Sequence, residues 1–129
     1  MKLVIGGCNQ GKLDYVMEAL GSEDSIVYNG AAFTCNVNPP EGTVVVVNRL
    51  HLFVRECLMR DGDPEKEMDA FVERFPDCII ISDEVGNGIV PVDKFERKWR
   101  EKTGRLLTHL ARNATEVTRV FCGIGQKIK

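Results

Sequence analysis

Lys12 closes the run Gly6-Gly7-Cys8-Asn9-Gln10-Gly11-Lys12-Leu13, which matches the phosphate-binding pattern G-x-x-x-x-G-K up to its last position. Glycines let the backbone curl so that successive N–H groups face an anion, and a helix starting there adds the positive end of its dipole. Lys12 would reach the β and γ phosphates of a nucleoside triphosphate. The position after the lysine calls for a serine or threonine hydroxyl on Mg²⁺, and Leu13 stands there instead. On its own the loop also reads as an ordinary strand-to-helix turn with a solvated lysine. Cys8 sits inside the loop ahead of the helix and reads most simply as a small loop filler.

A second group of chemically capable residues lies at Ser82-Asp83-Glu84-Val85-Gly86-Asn87-Gly88-Ile89-Val90-Pro91. It follows an apolar strand pattern, and ligands of open α/β sheets bind outside the strand carboxyl ends, which makes Asp83 and Glu84 site candidates. Gly86 and Gly88 admit a close-lying ligand or simply a tight turn. Asp14 and Asp83 are the carboxylates that could stand in as weak Mg²⁺ ligands. Asn48, at the end of the most apolar strand pattern, lacks the charge that a phosphate-loop enzyme uses there to support the metal. His51 reads as an ordinary helix residue, and Arg97 and Arg100 as one solvated side of a helix.

Positioning these residues requires strands and helices in alternation. Lys2 to Ile5 reads as a strand, Leu13 to Leu20 as a helix ending at Gly21, and Ser25 to Tyr28 as a strand ending at the Asn29-Gly30 turn. The Gly30 to Gly42 connection contains Pro39-Pro40 and no helical period, close to the minimum of about a dozen residues for a parallel crossover. Thr43 to Val47 is β-branched throughout, as a strand buried on both faces requires. Leu50 to Met59 and a segment opened by Pro64 read as helices, Cys78 to Ile81 as a strand, and Asp93 to about Asn113 as a long helix. Glu116 to Cys122 is a last strand, followed by a glycine turn and a short terminal ribbon. The alternation predicts one three-layer α/β domain over residues 1–129 with a mainly parallel sheet.

Composition narrows the partners. A formal net charge of −2 offers no basic surplus for nucleic acid or an anionic membrane, and no apolar run is long enough for a transmembrane helix. The N-terminus lacks a secretory pattern, and five cysteines without a C-x-x-C pair fit reduced thiols, so a cytoplasmic protein is expected.

The run Asp83 to Pro91, then Arg97, Arg100 and Gly104-Arg105, then Gly123-Ile124-Gly125-Gln126-Lys127-Ile128-Lys129, together with the N-terminal loop, resembles the bifunctional adenosylcobinamide kinase/adenosylcobinamide-phosphate guanylyltransferase family of cobalamin biosynthesis. The resemblance implies a P-loop nucleoside triphosphate hydrolase-like fold, a homo-oligomer, and ATP or GTP used with Mg²⁺. It implies phosphorylation of the aminopropanol hydroxyl of adenosylcobinamide, followed by GMP transfer through a guanylylated histidine. Gly6, Gly11 and Lys12 match its phosphate cradle. Lys12 and Glu84 are the implied catalytic residues, with Gly86, Gly88, Pro91, Arg97 and Arg100 around the substrate. This chain departs from the family at Leu13, at Asn48, and in the Gly30 to Gly42 connection, which holds no histidine where the family places the guanylylated one. The departures leave two expectations: a kinase without the histidine-linked step, or a silent relative that binds nucleotide or corrinoid as a regulatory or assembly protein.

Overall fold

The computed structural model describes residues 1–86 and 92–129. Strands β1 (Lys2–Gly6), β2 (Ser25–Asn29), β3 (Val44–Asn48), β4 (Ile79–Asp83), β5 (Glu116–Phe121) and β6 (Ile124–Lys127) form one six-stranded sheet in the order β2-β3-β4-β1-β5-β6. The first five strands run parallel and β6 returns antiparallel to β5. Helices α1 (Lys12–Leu20), α2 (Leu50–Met59), α3 (Pro64–Arg74) and α4 (Lys94–Asn113) complete the chain. The three-layer α/β expectation is what the structure has.

The larger core joins α2, α3 and α4 to one face of the sheet. Leu50, Phe53, Val54, Cys57 and Leu58 are the buried stripe of α2, at the spacing of one helical face. A smaller core of Val4, Val16, Val46, Ile79, Ile81 and Val120 holds α1 on the opposite face. Side chains alternate along a strand, so Asp83 shares the α1 side with Ile79 and Ile81. That parity rests on β4 running to Asp83, two residues beyond the expected end at Ile81.

The short β2 to β3 connection carries no helix, as its sequence predicts, and it is tied down by two devices. Phe33 inserts between Tyr28, Phe53 and Phe71, with ring centroids 5.1 to 5.6 Å apart. Arg74, in the last turn of α3, donates to the carbonyls of Cys35 at 2.8 Å and Val37 at 2.9 Å. Backbone acceptors of a helix-free crossover thus find a charged donor.

The four helices start in two different ways. Asp63 and Asp93 cap α3 and α4, accepting the amides of Lys66 at 3.2 Å and Glu96 at 3.1 Å. Neither α1 nor α2 has a side-chain cap, and both are entered through a left-handed residue: Gly11 at φ 83° and Arg49 at φ 60°. Among the described residues no helix is long and apolar enough to cross a membrane.

Candidate functional site

The uncapped starts of α1 and α2 converge at the carboxyl ends of β1, β3 and β4. Between them lies an open cleft of about 550 Å³, lined by residues 8–14, Asn48, Arg49, His51, Leu52 and Asp83. Two features give the β1–α1 loop its shape. A side chain at Gly6 would meet the Val120 carbonyl oxygen at 2.6 Å, and Asn9 (φ 58°) and Gly11 (φ 83°) occupy the left-handed region that Asn and Gly tolerate best.

From outside, the β5–β6 hairpin supports the loop. Its turn amides at Cys122 and Gly123 donate to the Gln10 side-chain oxygen and carbonyl, each at 2.8 Å. Among the described residues the amides of residues 8–13 donate to no protein acceptor, which leaves them available to an anion.

Lys12 is only 7% exposed, and a buried ammonium needs partners. Its Nζ donates to the Gly7 carbonyl at 2.6 Å and pairs with Asp83 Oδ1 at 2.7 Å. The other Asp83 oxygen faces His51 Nε2 at 3.4 Å, and the Asp83 amide donates to His51 Nδ1 at 3.1 Å. Accepting that amide requires Nδ1 to be unprotonated, so the neutral ring carries its proton on Nε2, toward the carboxylate.

Burial pushes the His51 pKa below its ordinary value; Asp83 opposes the shift, while Lys12 and Arg49 add to it. The ring is thus neutral, and with Nδ1 accepting the Asp83 amide and Nε2 carrying the proton, His51 has no free lone pair with which to attack phosphorus. The Trp99 indole, donating to the His51 carbonyl at 2.7 Å, fastens the start of α2 to α4.

The candidates read from the sequence divide between separate places. Cys8, Asn9, Gln10, Gly11, Lys12, Leu13, Asp14, Asn48 and Asp83 all line the cleft, and Gly7 contributes its carbonyl. Glu84 is turned away. Its amide donates to the Gly6 carbonyl at 2.9 Å, and its carboxylate pairs with Arg119 at 3.1 Å. With Gly86 it borders a different hollow, against Leu107 and Ala111 of α4. Adjacent residues leave a strand in opposite directions, so Asp83 and Glu84 serve different surfaces.

Arg97 donates to the Val92 carbonyl at 3.1 Å, and Arg100 borders an α4 surface hollow with Arg105 and His109. Gly88 and Pro91 lie outside the described residues. Among the described residues, the trio of potential metal ligands within 4.8 Å of one another is Glu65, Asp69 and His109, away from the cleft. Burial pushes the Cys57 thiol to about 12 and those of Cys35 and Cys78 to about 11, so all three stay protonated.

Three cleft residues escape the sequence reading: Arg49, His51 and Leu52. The rule that points to Asp83, that ligands gather at strand carboxyl ends, applies equally to the residues after β3.

A parallel sheet with a glycine loop leading from its first strand into a helix, and a lysine at that helix start, defines the phosphate-loop class of α/β proteins. Within that class, the family model described as cobinamide kinase / cobinamide phosphate guanyltransferase matches residues 31–128, and the chain belongs to that family. Two curated relatives are the bifunctional adenosylcobalamin biosynthesis proteins of Escherichia coli (strain K12) and Salmonella typhimurium (strain LT2). Each is 45% identical over 51 residues, a stretch covering 40% of this chain and 28% of the relative.

Proposed function

We propose that the cleft binds the polyphosphate of ATP or GTP and that the protein phosphorylates adenosylcobinamide within cobalamin biosynthesis. The observation that carries this reading is the position of Lys12, buried at the mouth of the loop and held between the Gly7 carbonyl and Asp83. A polyphosphate carries more negative charge than the single carboxylate now paired with the lysine. Its arrival draws Nζ onto the β and γ oxygens while the free amides of residues 8–13 take the remaining ones. Phosphoryl transfer depends on such positioning and charge neutralisation far more than on covalent chemistry by the protein.

Histidine-linked guanylyl transfer is not part of the proposal. That step needs an imidazole nitrogen with an open lone pair, and His51, the histidine of this cleft, uses its own on the Asp83 amide. Leu13 and Asn48 favour a second reading, in which the protein binds nucleotide without turnover and acts as a regulatory or assembly partner.

Calorimetric titration with GTP and ATP, for the wild type and Lys12→Ala, tests the common ground of both readings. Binding weakened roughly a hundredfold by the substitution is the expected result, and wild-type protein that binds neither nucleotide refutes both. A turnover assay with adenosylcobinamide then separates them, since product formation excludes the silent binder.

A further inference from the structure

The family resemblance calls for Mg²⁺ on the phosphates, and the residues in this cleft do not fit it. Mg²⁺ demands a near-octahedral set of oxygens. Leu13 supplies none where the loop hydroxyl belongs, and Asn48 supplies only a neutral amide. Both oxygens of Asp83 already face donors, Lys12 Nζ at 2.7 Å and His51 Nε2 at 3.4 Å. Asp14 is exposed on the rim.

Beside Asn48 stands Arg49, a cation next to the position from which the family directs negative charge at a metal. We propose, resting on the nucleotide reading above, that this cleft neutralises the polyphosphate with two protein cations, Lys12 from the α1 side and Arg49 from the α2 side, and binds nucleotide without a divalent metal ion.

The position of Arg49 is built rather than incidental. Its backbone is left-handed, at φ 60° and ψ 51°, a region uncommon for a residue other than Gly, Asn or Asp. Such a conformation persists only where its surroundings impose it, and residues of this kind gather at ligand sites. Gly30 leaves room for it here. A Cβ on Gly30 would lie 2.0 Å from the Arg49 carbonyl oxygen, so only glycine permits the approach. The Gly30 amide donates to the Asn48 carbonyl at 2.7 Å, and the Arg49 carbonyl accepts from Leu52 at 3.0 Å. Backbone clamped on both sides thus carries an exposed guanidinium on the cleft wall.

Most other arginines of the chain are engaged. Arg55, Arg60, Arg105 and Arg119 pair with Glu96, Glu67, Glu101 and Glu84, and Arg74 holds loop carbonyls. The Arg49 guanidinium has no hydrogen-bond or ion-pair partner among the described residues. A guanidinium fork matches phosphate oxygens in pairs, and its charge does not depend on pH in the working range. The uncapped start of α2 adds its dipole on the same side.

The test is calorimetric titration of GTP and ATP into the full chain, in Mg²⁺ and in EDTA. Wild type, Arg49→Asn and the double variant Leu13→Ser/Asn48→Asp are compared. Asparagine is chosen at residue 49 because it tolerates the left-handed backbone, which keeps the local fold while removing the charge.

The expected result is wild-type affinity in EDTA within about threefold of that in Mg²⁺, and a loss of about tenfold or more in EDTA for Arg49→Asn, the effect of one charged hydrogen-bonding group. The double variant should bind more tightly in Mg²⁺ than in EDTA, because it regains a hydroxyl and an acid. Wild-type binding that vanishes in EDTA overturns the inference while leaving the nucleotide reading intact. An unchanged Arg49→Asn protein overturns the role of Arg49. Absence of binding in both buffers overturns the inference and the nucleotide reading together.

Discussion

The two helix starts that face each other across the cleft are alike in form and opposite in state. Both follow the carboxyl end of a strand, both are entered through a left-handed residue, and neither is capped. Forgoing a side-chain cap costs about 1 kcal/mol at Arg49 and only a few tenths at Gly11, a cost that α3 and α4 avoid with Asp63 and Asp93. At α1 the cation is buried and latched to Asp83, while at α2 it is exposed and has no partner among the described residues. The difference separates two ways of meeting an anion, by displacement of an existing partner and by direct capture.

The most severe way to break the pairing is Lys12→Ala, which removes the latched cation and leaves Asp83 facing only His51. Loss of a hydrogen bond to a charged group predicts nucleotide binding weaker by about 3 kcal/mol, roughly a hundredfold, measured by calorimetry. Retained affinity in this variant would place the phosphates elsewhere.

Next in size are the glycines behind each start. Gly6→Ala drives a methyl to 2.6 Å from the Val120 carbonyl oxygen, and Gly30→Ala drives one to 2.0 Å from that of Arg49. Overpacking against backbone predicts losses of about 1–3 kcal/mol in urea unfolding for each, with the larger loss at Gly30. Equal stabilities for Gly30→Ala and wild type would show that Arg49 is not clamped.

His51→Leu sharpens the comparison from the carboxylate between the two cations. It leaves the Asp83 amide without an acceptor, with an expected loss of about 1–2 kcal/mol in folding stability. The same residue predicts a pH dependence. Because the folded-state pKa of His51 lies below 6.5, its contribution is complete above pH 6.5 and declines as pH falls from there toward the folded value, where the unfolded chain takes up a proton that the folded chain refuses. Urea midpoints between about pH 7.5 and about pH 5.5 should fall less in His51→Asn, which keeps an acceptor for the amide but cannot titrate.

The smallest effect belongs to Gln10→Ala, which removes the side-chain acceptor of the Cys122 amide and keeps the carbonyl bond to Gly123. A loss of about 0.5–1 kcal/mol is expected, with faster hydrogen exchange at Cys122 as its signature.

Much of this architecture is legible in local pattern. Val44 to Val47 announces a doubly buried strand and α2 its stripe, while Gly6 to Lys12 announces the loop, because each signal is carried by residues a few positions apart. Less legible was the fate of the carboxylates. With β4 expected to stop at Ile81, Asp83 and Glu84 could be grouped as one site, whereas the strand's continuation sends them to opposite faces. His51 shows the limit most clearly: its helix was evident, and nothing local linked it to a residue 32 positions away.

Residue order is enough to specify the alternation of elements, the glycine loop with Lys12, and the replacement of two expected metal supports by Leu13 and Asn48. These follow from residue type and short-range periodicity, which covalent geometry enforces. That Arg49 and His51 share a cleft with Lys12 emerges only in the folded sheet. That depends on β4 taking the place between β3 and β1, and strand order is set by pairing and burial across the whole sheet, which no local spacing encodes.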